Sequence, residues 1–136
     1  SLGNALGWRT MSTPKEASRV HREVMLVMRA YELMVIFDGD LDDSNAAQAS
    51  NRVSASAEEF GASIEKNDWW GRRKFAYEID HKVEGYYLVL ELISENGSFI
   101  NDLDRALRLA DDVVRHKLLR LPDHEAEKRG LIGTAS

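Results

Sequence analysis

The chain has 136 residues, 43% of them hydrophobic, which is enough for one packed core and too few for two domains of ordinary size. Its formal charge of -5 argues against a protein that coats nucleic acid through bulk positive charge. The absence of cysteine excludes a disulfide framework and a thiolate metal site, as suits a cytosolic protein. The apolar run 24–37 is broken by Arg29 and Glu32, so neither a membrane span nor a signal peptide is predicted.

Residues 1–27 differ in character from the rest of the chain, because they are rich in small polar residues and lack apolar periodicity. Within them, the capping-box spacing at 13–16, with Pro14 at the first helical position, predicts a short helix toward Glu23. Met25 or Met28 would serve as a natural start. We therefore interpret residues 1–27 as an N-terminal extension that is vector-derived, upstream sequence or disordered.

The first elements of the domain follow in residues 28–61. Over 30–37, one set of apolar residues alternates with a second set that is apolar except for Glu32. This alternation predicts a strand with both faces largely apolar. The acidic turn 38–43 follows, and then apolar residues recur at helical spacing until Gly61, which predicts an amphipathic helix. The residues of the predicted apolar stripe are Ala46, Ala49, Val53, Ala57 and Phe60.

Alternation resumes over 62–79 and predicts a long, bent strand in which Gly71 permits a bulge. A polar turn at 80–84 leads to a third strand over 85–93. Ser98 is expected to cap a second helix, and 113–121 to form the last strand before Pro122. The polar remainder, 122–136, offers little to bury, so we expect a mobile C-terminal tail.

The predicted order is therefore βαββαβ, the pattern of an α+β, ferredoxin-like fold with a four-stranded antiparallel sheet and two helices on one face. The domain is expected to span 28–121. This architecture also serves small-molecule sensors and oligomeric enzymes, so the fold alone does not decide the function.

The acidic turn matches a metal-binding pattern only in part. Asp38, Asp40 and Asp42 imitate the start of a calcium-binding loop, but Asp43 replaces its glycine and Ala49 its bidentate glutamate. Helix capping accounts better for these aspartates. The four histidines lack metal-ligand spacing and no phosphate-binding glycine loop is present. We expect no metal, no cofactor, no small-molecule substrate and no enzymatic activity.

Residues 69–74 combine two tryptophans with three consecutive cations in a chain that is otherwise acidic. Cations pair with phosphates and indole rings stack on unpaired bases, so Trp70, Arg72, Arg73 and Lys74 are candidates for RNA contact. The alternative is that the cations are simply solvated and the tryptophans belong to the core. A second basic set lies on the last helix and strand, and comprises Arg105, Arg108, Arg115, Lys117 and Arg120.

Strand parity divides the predicted sheet into a helix-covered face and an open face. The covered face takes Leu33, Val35, Leu88, Leu90, Leu92, Val114 and Leu118. The open face takes Met34, Ile36, Val89 and Ile93, together with Glu32, Glu91, Arg115 and Lys117. Exposed apolar area of this kind often marks a protein partner. Alternatively, long charged side chains bridge across the open face and cover it.

Five segments resemble the family of bacterial small-subunit ribosomal protein six. They are Met28-Arg29-Ala30-Tyr31-Glu32, residues 61–66, residues 68–77, Gly85-Tyr86-Tyr87 and Asn101-Asp102-Leu103. The resemblance implies a cytoplasmic, non-catalytic protein of the small ribosomal subunit. It further implies binding to the central domain of 16S ribosomal RNA, as a heterodimer with small-subunit ribosomal protein eighteen, during platform assembly.

The same resemblance implies particular contacts. Arg29, Tyr31, the cluster 72–74 and the region of Arg108 are the RNA candidates. Arg115 joins them as part of the second basic set. The candidates for the protein partner lie on the open face, and are Glu32, Met34, Val89, Glu91 and Lys117. The chain departs from many relatives at Glu78, where they have proline, and lacks the acidic C-terminal extension of some.

Two hypotheses follow. In the first, the chain is half of a protein pair, and its net acidity complements a small basic partner. In the second, the open face forms a homodimer with a ligand-sized cleft, as in a ferredoxin-like small-molecule sensor or oligomeric enzyme. Convergent histidine or carboxylate groups in a pocket would favour the second hypothesis.

Overall fold

The computed structural model describes residues 28–79, 81–95 and 97–132. The predicted helix toward Glu23 and the interpretation of 1–27 as an extension lie outside the described residues. The strands are β1 (Arg29–Asp38), β2 (Ser63–Ile79), β3 (Lys82–Ser94) and β4 (Val113–Arg120). The helices are α1 (Asp43–Glu59), α2 (Ser98–Leu109) and α3 (Asp123–Lys128). In this part of the chain, no helix is long and apolar enough to cross a membrane.

The four strands form one sheet in the order β2-β3-β1-β4, and each neighbouring pair is antiparallel. Together with α1 and α2 on one face, this confirms the predicted ferredoxin-like fold. Gly71 has φ +76 at the register shift between Trp69 and Gly71, which confirms the predicted bulge. Another of the register shifts in the sheet, between Ile36 and Phe37, changes the pairing with β4. Val113, rather than the predicted Val114, therefore packs against the core.

The core lies between the sheet and the two long helices. Alternate residues of β1 and β3 are fully buried there because period-two alternation points them all to the same face. They are joined by the apolar stripes of α1 and α2. The main members are Leu33, Val35, Phe37, Leu88, Leu90, Leu92, Ala46, Ala49, Phe99 and Leu103.

The two long helices begin in different ways. The Asp42 side chain accepts a hydrogen bond of 2.7 Å from the Asn45 amide, so the capping account of the acidic turn is confirmed for Asp42. Asp38 and Asp40 instead pair with Lys82. The prediction that Ser98 caps α2 is wrong by one position. Ser98 is the first helical residue, and Gly97 at the cap position supplies no side-chain oxygen.

The C-terminal segment, defined here as residues 121–132, differs from the tail expected from the sequence. The prediction that little is buried beyond Pro122 is wrong for the described part of that tail, because Ala126, Leu131 and Ile132 are buried. They pack with Leu121 against residues of the open face of the sheet. Three apolar residues among polar ones give no clear periodicity, and only the tertiary contact reveals their shared direction.

The division of α2 into a core face and a solvent face can be tested. Leu103→Ala empties a fully buried position and should destabilise the protein by about 2–5 kcal/mol. Leu109→Ala, on the same helix, removes a side chain that is 72% exposed and should change stability by less than about 0.5 kcal/mol. Urea denaturation measures both, and equal effects would contradict the packing described here.

Candidate RNA and protein interfaces

The two tryptophans of β2 point to opposite faces of the sheet. Trp69 stacks on Tyr86 on the helix-covered face, with ring centroids 5.8 Å apart. Trp70 stacks on Tyr87 on the open face at 5.7 Å. Both indoles remain more than a third exposed. Two aromatic stacks therefore lie on opposite faces of the sheet next to the bulge at Gly71. The stack of Trp69 on Tyr86 extends the core, and the stack of Trp70 on Tyr87 exposes the indole ring to solvent.

Arg72 holds the loop between β1 and α1 in place. Its guanidinium donates to the carbonyl oxygens of Gly39 at 2.6 Å and Leu41 at 3.3 Å. It also pairs with Glu84 at 3.0 Å and lies over the Tyr86 ring, 4.6 Å from the centroid, with a hydrogen bond to the phenol oxygen. The structure thus brings Arg72 to a loop anchor. Both of its terminal nitrogens are already used, which makes it a poorer RNA candidate than its neighbours.

The phenol oxygen of Tyr86 completes this anchor. It lies 2.9 Å from the Leu41 carbonyl and 2.9 Å from Oδ1 of Asp43 in the first turn of α1. Burial, and the hydrogen bond to Asp43, raise the pKa of Tyr86 above its usual value. The phenol therefore stays protonated and links strand, loop and helix.

Arg73 and Lys74 remain available. Both side chains are exposed, and neither forms an ion pair with any residue that the structure describes. Arg73 pairs with Gly85 in the register, which places it on the open face beside the stack of Trp70 on Tyr87. Phe75 contacts the edge of Tyr87 at 6.0 Å. Lys74 pairs with Glu84, so its side chain leaves the same edge strand on the opposite face. We call Trp70, Arg73, Lys74, Phe75 and Tyr87 the β2 edge.

The remaining RNA candidates do not share one surface. The expectation that Tyr31 contacts RNA does not fit its position, because its ring is 3% exposed and packs edge-on against Phe99 at 5.0 Å. Arg29 is half-buried and donates to the Met28 carbonyl. Arg108 pairs with Asp104 at 3.1 Å on α2. Arg115 is exposed on β4, at the sheet edge opposite the β2 edge.

The open face is organised in rows that run across the strands. Glu32 and Glu91 are direct partners in one row, and Met34 pairs with Val89 in the next. Lys117 joins the Met34 row, whereas Arg115 joins Ile36 in the row beyond. The predicted protein-partner residues therefore do lie side by side, as parity required.

Arg129 occupies the row that contains the two glutamates. Its Nη1 donates to Glu32 at 2.9 Å and to Glu91 at 3.0 Å, while its Nε donates to Glu125 at 2.8 Å. These hydrogen bonds, that to Glu32 foremost, raise the pKa of Arg129, so it remains charged. Glu32 and Glu91 are thus paired with Arg129 in this structure, and their contact with a protein partner stays a prediction. A charged side chain does bridge the strands at this row of the open face, but it belongs to Arg129 of the C-terminal segment and not to the sheet.

The contact of Arg129 with the sheet was not predicted from the sequence, because the C-terminal tail was expected to be mobile. Its one visible signal was the spacing of Glu125 and Arg129, four residues apart, which is typical of a helical ion pair. Tyr87 was also missed as part of the β2 edge. Its signal was the parity that places it opposite Gly71.

The residues that the structure describes leave the other half of the open face without a covering segment, and we call it the uncovered half. Met34 and Val89 are half-buried, and Met34, Ile36, Arg115, His116 and Lys117 line a depression of about 100 Å³. Among the described residues, Arg115 and Lys117 form no ion pair. This half is therefore apolar at its centre and cationic at the β4 edge.

Carboxylates of the acidic turn are occupied by protein groups. The Asp40 amide donates to Asp38 at 2.9 Å, and Lys82 donates to Asp40 at 2.8 Å. The hydrogen bond from Lys82 lowers the pKa of Asp40. Within 28–79, 81–95 and 97–132, no group of three or more metal-ligating side chains converges.

Comparison with known proteins agrees with the fold. The profile of the family described as Ribosomal protein S6 matches residues 30–120. A small ribosomal subunit protein bS6 of Saccharopolyspora erythraea is 48% identical over 93 residues, covering 68% of this chain and 78% of that protein. One of Mycolicibacterium paratuberculosis is 41% identical over 97 residues, covering 71% and 100%. The crystal structure of 30S ribosomal protein S6 from Thermotoga maritima has a TM-score of 0.69 at 29% identity, covering 76% and 96%.

The sheet order and the two flanking helices define a ferredoxin-like α+β domain that presents a strand edge and an open sheet face to its surroundings. The chain belongs to the ribosomal protein S6 family. This is a family of structural ribosomal proteins and not of enzymes. Its members are small-subunit proteins of the bacterial cytoplasm, in agreement with the resemblance noted in the sequence.

The role of Arg72 as a loop anchor can be tested by Arg72→Lys, which keeps the charge but loses the planar fork of donors. We expect a loss of about 1 kcal/mol in the free energy of unfolding, because a lysine cannot reach Gly39, Glu84 and Tyr86 together. Arg73→Lys, one residue on, should leave stability within about 0.5 kcal/mol of the original. Urea denaturation of both variants measures the difference, and equal stabilities would remove Arg72 from the anchor.

A pH dependence follows from Glu125. The hydrogen bond from Arg129 outweighs burial and lowers the pKa of Glu125 below its usual 4.5. Because the folded-state pKa is depressed, this contribution to stability is fully present above the unfolded-state pKa and is lost as pH falls through the folded-state pKa. The stability difference between the original protein and Glu125→Gln should therefore be largest near neutrality and should vanish in acid.

Urea denaturation between pH 7 and pH 3 measures that difference. Glu127→Gln is the matched control, because Glu127 forms no ion pair among the described residues and its difference should not change with pH in this way. A difference for Glu125→Gln that persists in acid would contradict the assignment.

Proposed function

We propose that the chain is a structural constituent of the small ribosomal subunit that binds the central domain of 16S ribosomal RNA together with small-subunit ribosomal protein eighteen. In this role it supports platform assembly and translation. The observation that carries the RNA part is the β2 edge, where a solvent-facing stack of Trp70 on Tyr87 adjoins Arg73, and Lys74 follows on the same edge strand. Family membership supports the ribosomal setting.

The β2 edge has the chemistry that RNA recognition needs. An exposed indole offers a π-face on which an unpaired base stacks, and adjacent cations neutralise phosphates and release counterions. Stacking on Tyr87 fixes the Trp70 ring, as does the hydrogen bond from its indole nitrogen to Asp68 at 3.0 Å. A ring that is already fixed loses little entropy when a base stacks on it. Arg73 and Lys74 are therefore favoured over Arg72 as phosphate contacts.

The uncovered half of the open face supports the protein-partner part. Met34 and Val89 supply apolar area at its centre, and Lys117 stands beside them in the same row. A partner that buries this apolar area gains from the hydrophobic effect. Glu32 and Glu91, in the adjoining row, complement a basic partner once they are accessible.

The alternative of a small-molecule sensor or oligomeric enzyme finds less support. The depression on the open face, about 100 Å³, is smaller than the roughly 300–1,000 Å³ of typical ligand pockets. His116 lines this depression without a carboxylate beside it in the lining. Its ring instead contacts Asp104 of α2 at 2.7 Å, which ties strand to helix.

The RNA assignment is tested with the double variant Arg73→Ala/Lys74→Ala. If both cations contact phosphates, the slope of log K against log salt should become shallower by about two, since each contact releases about one counterion. Binding of a central-domain fragment of 16S ribosomal RNA would be measured by filter retention between 50 and 300 mM salt, with and without ribosomal protein eighteen.

The matched control is Arg52→Ala/Lys128→Ala, which removes two cations from α1 and α3, away from the β2 edge. It should leave the salt slope unchanged. An unchanged slope for the Arg73 and Lys74 variant would remove the β2 edge from the RNA contacts. Failure of the original protein to bind RNA with or without the partner would overturn the proposed function.

A further inference from the structure

The C-terminal segment, 121–132, covers one half of the open face. Leu121, Ala126, Leu131 and Ile132 are all less than a tenth exposed. They form a small cluster with Ala30 and Ile93, the open-face residues at one end of β1 and β3. This cluster is separate from the main core on the other side of the sheet. The segment thus seals the end of the open face that includes the Glu32 and Glu91 row.

Glu32 and Glu91 together form a binding site for a guanidinium group. They lie directly opposite each other on β1 and β3, and like charges in that arrangement destabilise a sheet unless a cation lies between them. Arg129 supplies that cation at 2.9 and 3.0 Å. The Glu91 side chain is only 15% exposed, so a cation brought to it is partly shielded from water. The register of the sheet, rather than the segment, creates this acidic pair.

The segment is attached in a way that permits release. Beyond the bond from the Leu121 amide to the Ala30 carbonyl, the backbone hydrogen bonds described for 122–131 all join residues of the segment to one another. Beyond Leu121, the described residues of the segment therefore contact the sheet through side chains alone. A helix of six residues is only marginally stable by itself. Undocking the segment breaks no strand pairing.

We infer that the C-terminal segment is an intramolecular competitor for the open face, in which Arg129 occupies the site of an arginine from a basic protein partner. The partner reaches Glu32 and Glu91 only when the segment undocks. The identity of that partner as ribosomal protein eighteen rests on the proposed function. Competition follows from position, because the docked segment already places the Arg129 guanidinium against both Glu32 and Glu91.

The position of the uncovered half favours this assignment. The Met34 and Val89 row adjoins the Glu32 and Glu91 row without a gap. A partner seated on the apolar residues therefore meets the edge of the docked segment. Only the fraction of molecules with the segment undocked offers the whole surface, so the apparent affinity for the partner is reduced by that fraction.

The first measurement is partner affinity of the full chain by calorimetric titration with ribosomal protein eighteen. Arg129→Ala should bind it about threefold to tenfold more tightly than the original protein, because the competing cation is gone. Lys128→Ala, which removes the neighbouring exposed cation, should bind as the original does. Adding Glu32→Gln and Glu91→Gln to Arg129→Ala should cancel the gain. Equal or weaker binding by Arg129→Ala would overturn the inference and leave the proposed function standing.

A second measurement separates the two proposals. If ribosomal protein eighteen binds neither the original protein nor the variants, the proposed function fails, and a synthetic deca-arginine peptide then tests the acidic pair directly. Tighter binding of that peptide to Arg129→Ala than to Lys128→Ala, with loss of the difference in the glutamine variants, supports the competitor. Equal binding overturns it.

Amide hydrogen exchange of the free protein checks the docking itself. Arg129→Ala should lower protection at Leu131, whose amide donates to Ala126 within the segment, while Lys128→Ala should not. Unchanged protection in Arg129→Ala would mean that Arg129 does not hold the segment, and would overturn the inference.

Discussion

The rest of the structure depends on the unbroken pairing of the two central strands, β1 and β3. Ten consecutive residues, from Arg29 opposite Ser94 to Asp38 opposite Gly85, keep one register. Because side chains alternate between faces, this single constraint assigns every residue of both strands to the helix-covered side or the open side. Core and interface are thus defined by the same hydrogen bonds.

One consequence is that two like charges meet on the open face and require a compensating cation. The register that buries Leu33 and Leu90 also brings Glu32 against Glu91. In water such a pair would repel, and Arg129 removes the repulsion by donating to both carboxylates. The C-terminal segment is therefore part of the electrostatics of the sheet. The acidic surface that the composition implies is largely neutralised at this point, and the uncovered half next to it is cationic.

A second consequence is that neighbouring residues have unlike roles. The bulge at Gly71 and the alternation beyond it place Arg72 on the helix-covered side and Arg73 on the open side. Arg72 then finds two carbonyls, a carboxylate and a phenol within reach and becomes a structural residue. Arg73 has no such partner among the described residues, so its exposed charge remains available to a binding partner. Three consecutive cations are equivalent in the sequence but not in the fold.

The sequence by itself determined the element order from β1 to β4, most of the division of the sheet into two faces, the bulge at Gly71 and the capping of α1 by an aspartate of the acidic turn. These are local properties, since they follow from periods of two and 3.6 residues and from the backbone freedom of glycine. The residues that carry the family resemblance lie in the same segments. Neither the periodicity of the residues nor the family motifs depend on tertiary contacts, so both can be recognised in the sequence alone.

Only the tertiary structure decided how charges are paired and what covers the open face. Glu32 and Arg129 are 97 positions apart, and Arg72 and Gly39 are 33 apart, so no local pattern connects them. The burial of Tyr31 against Phe99, and of Leu131 and Ile132 on the sheet, likewise depends on elements that meet only after folding. A charge or a short apolar run has no fixed role in a sequence. Its role is set by the partner that the folded chain brings within reach.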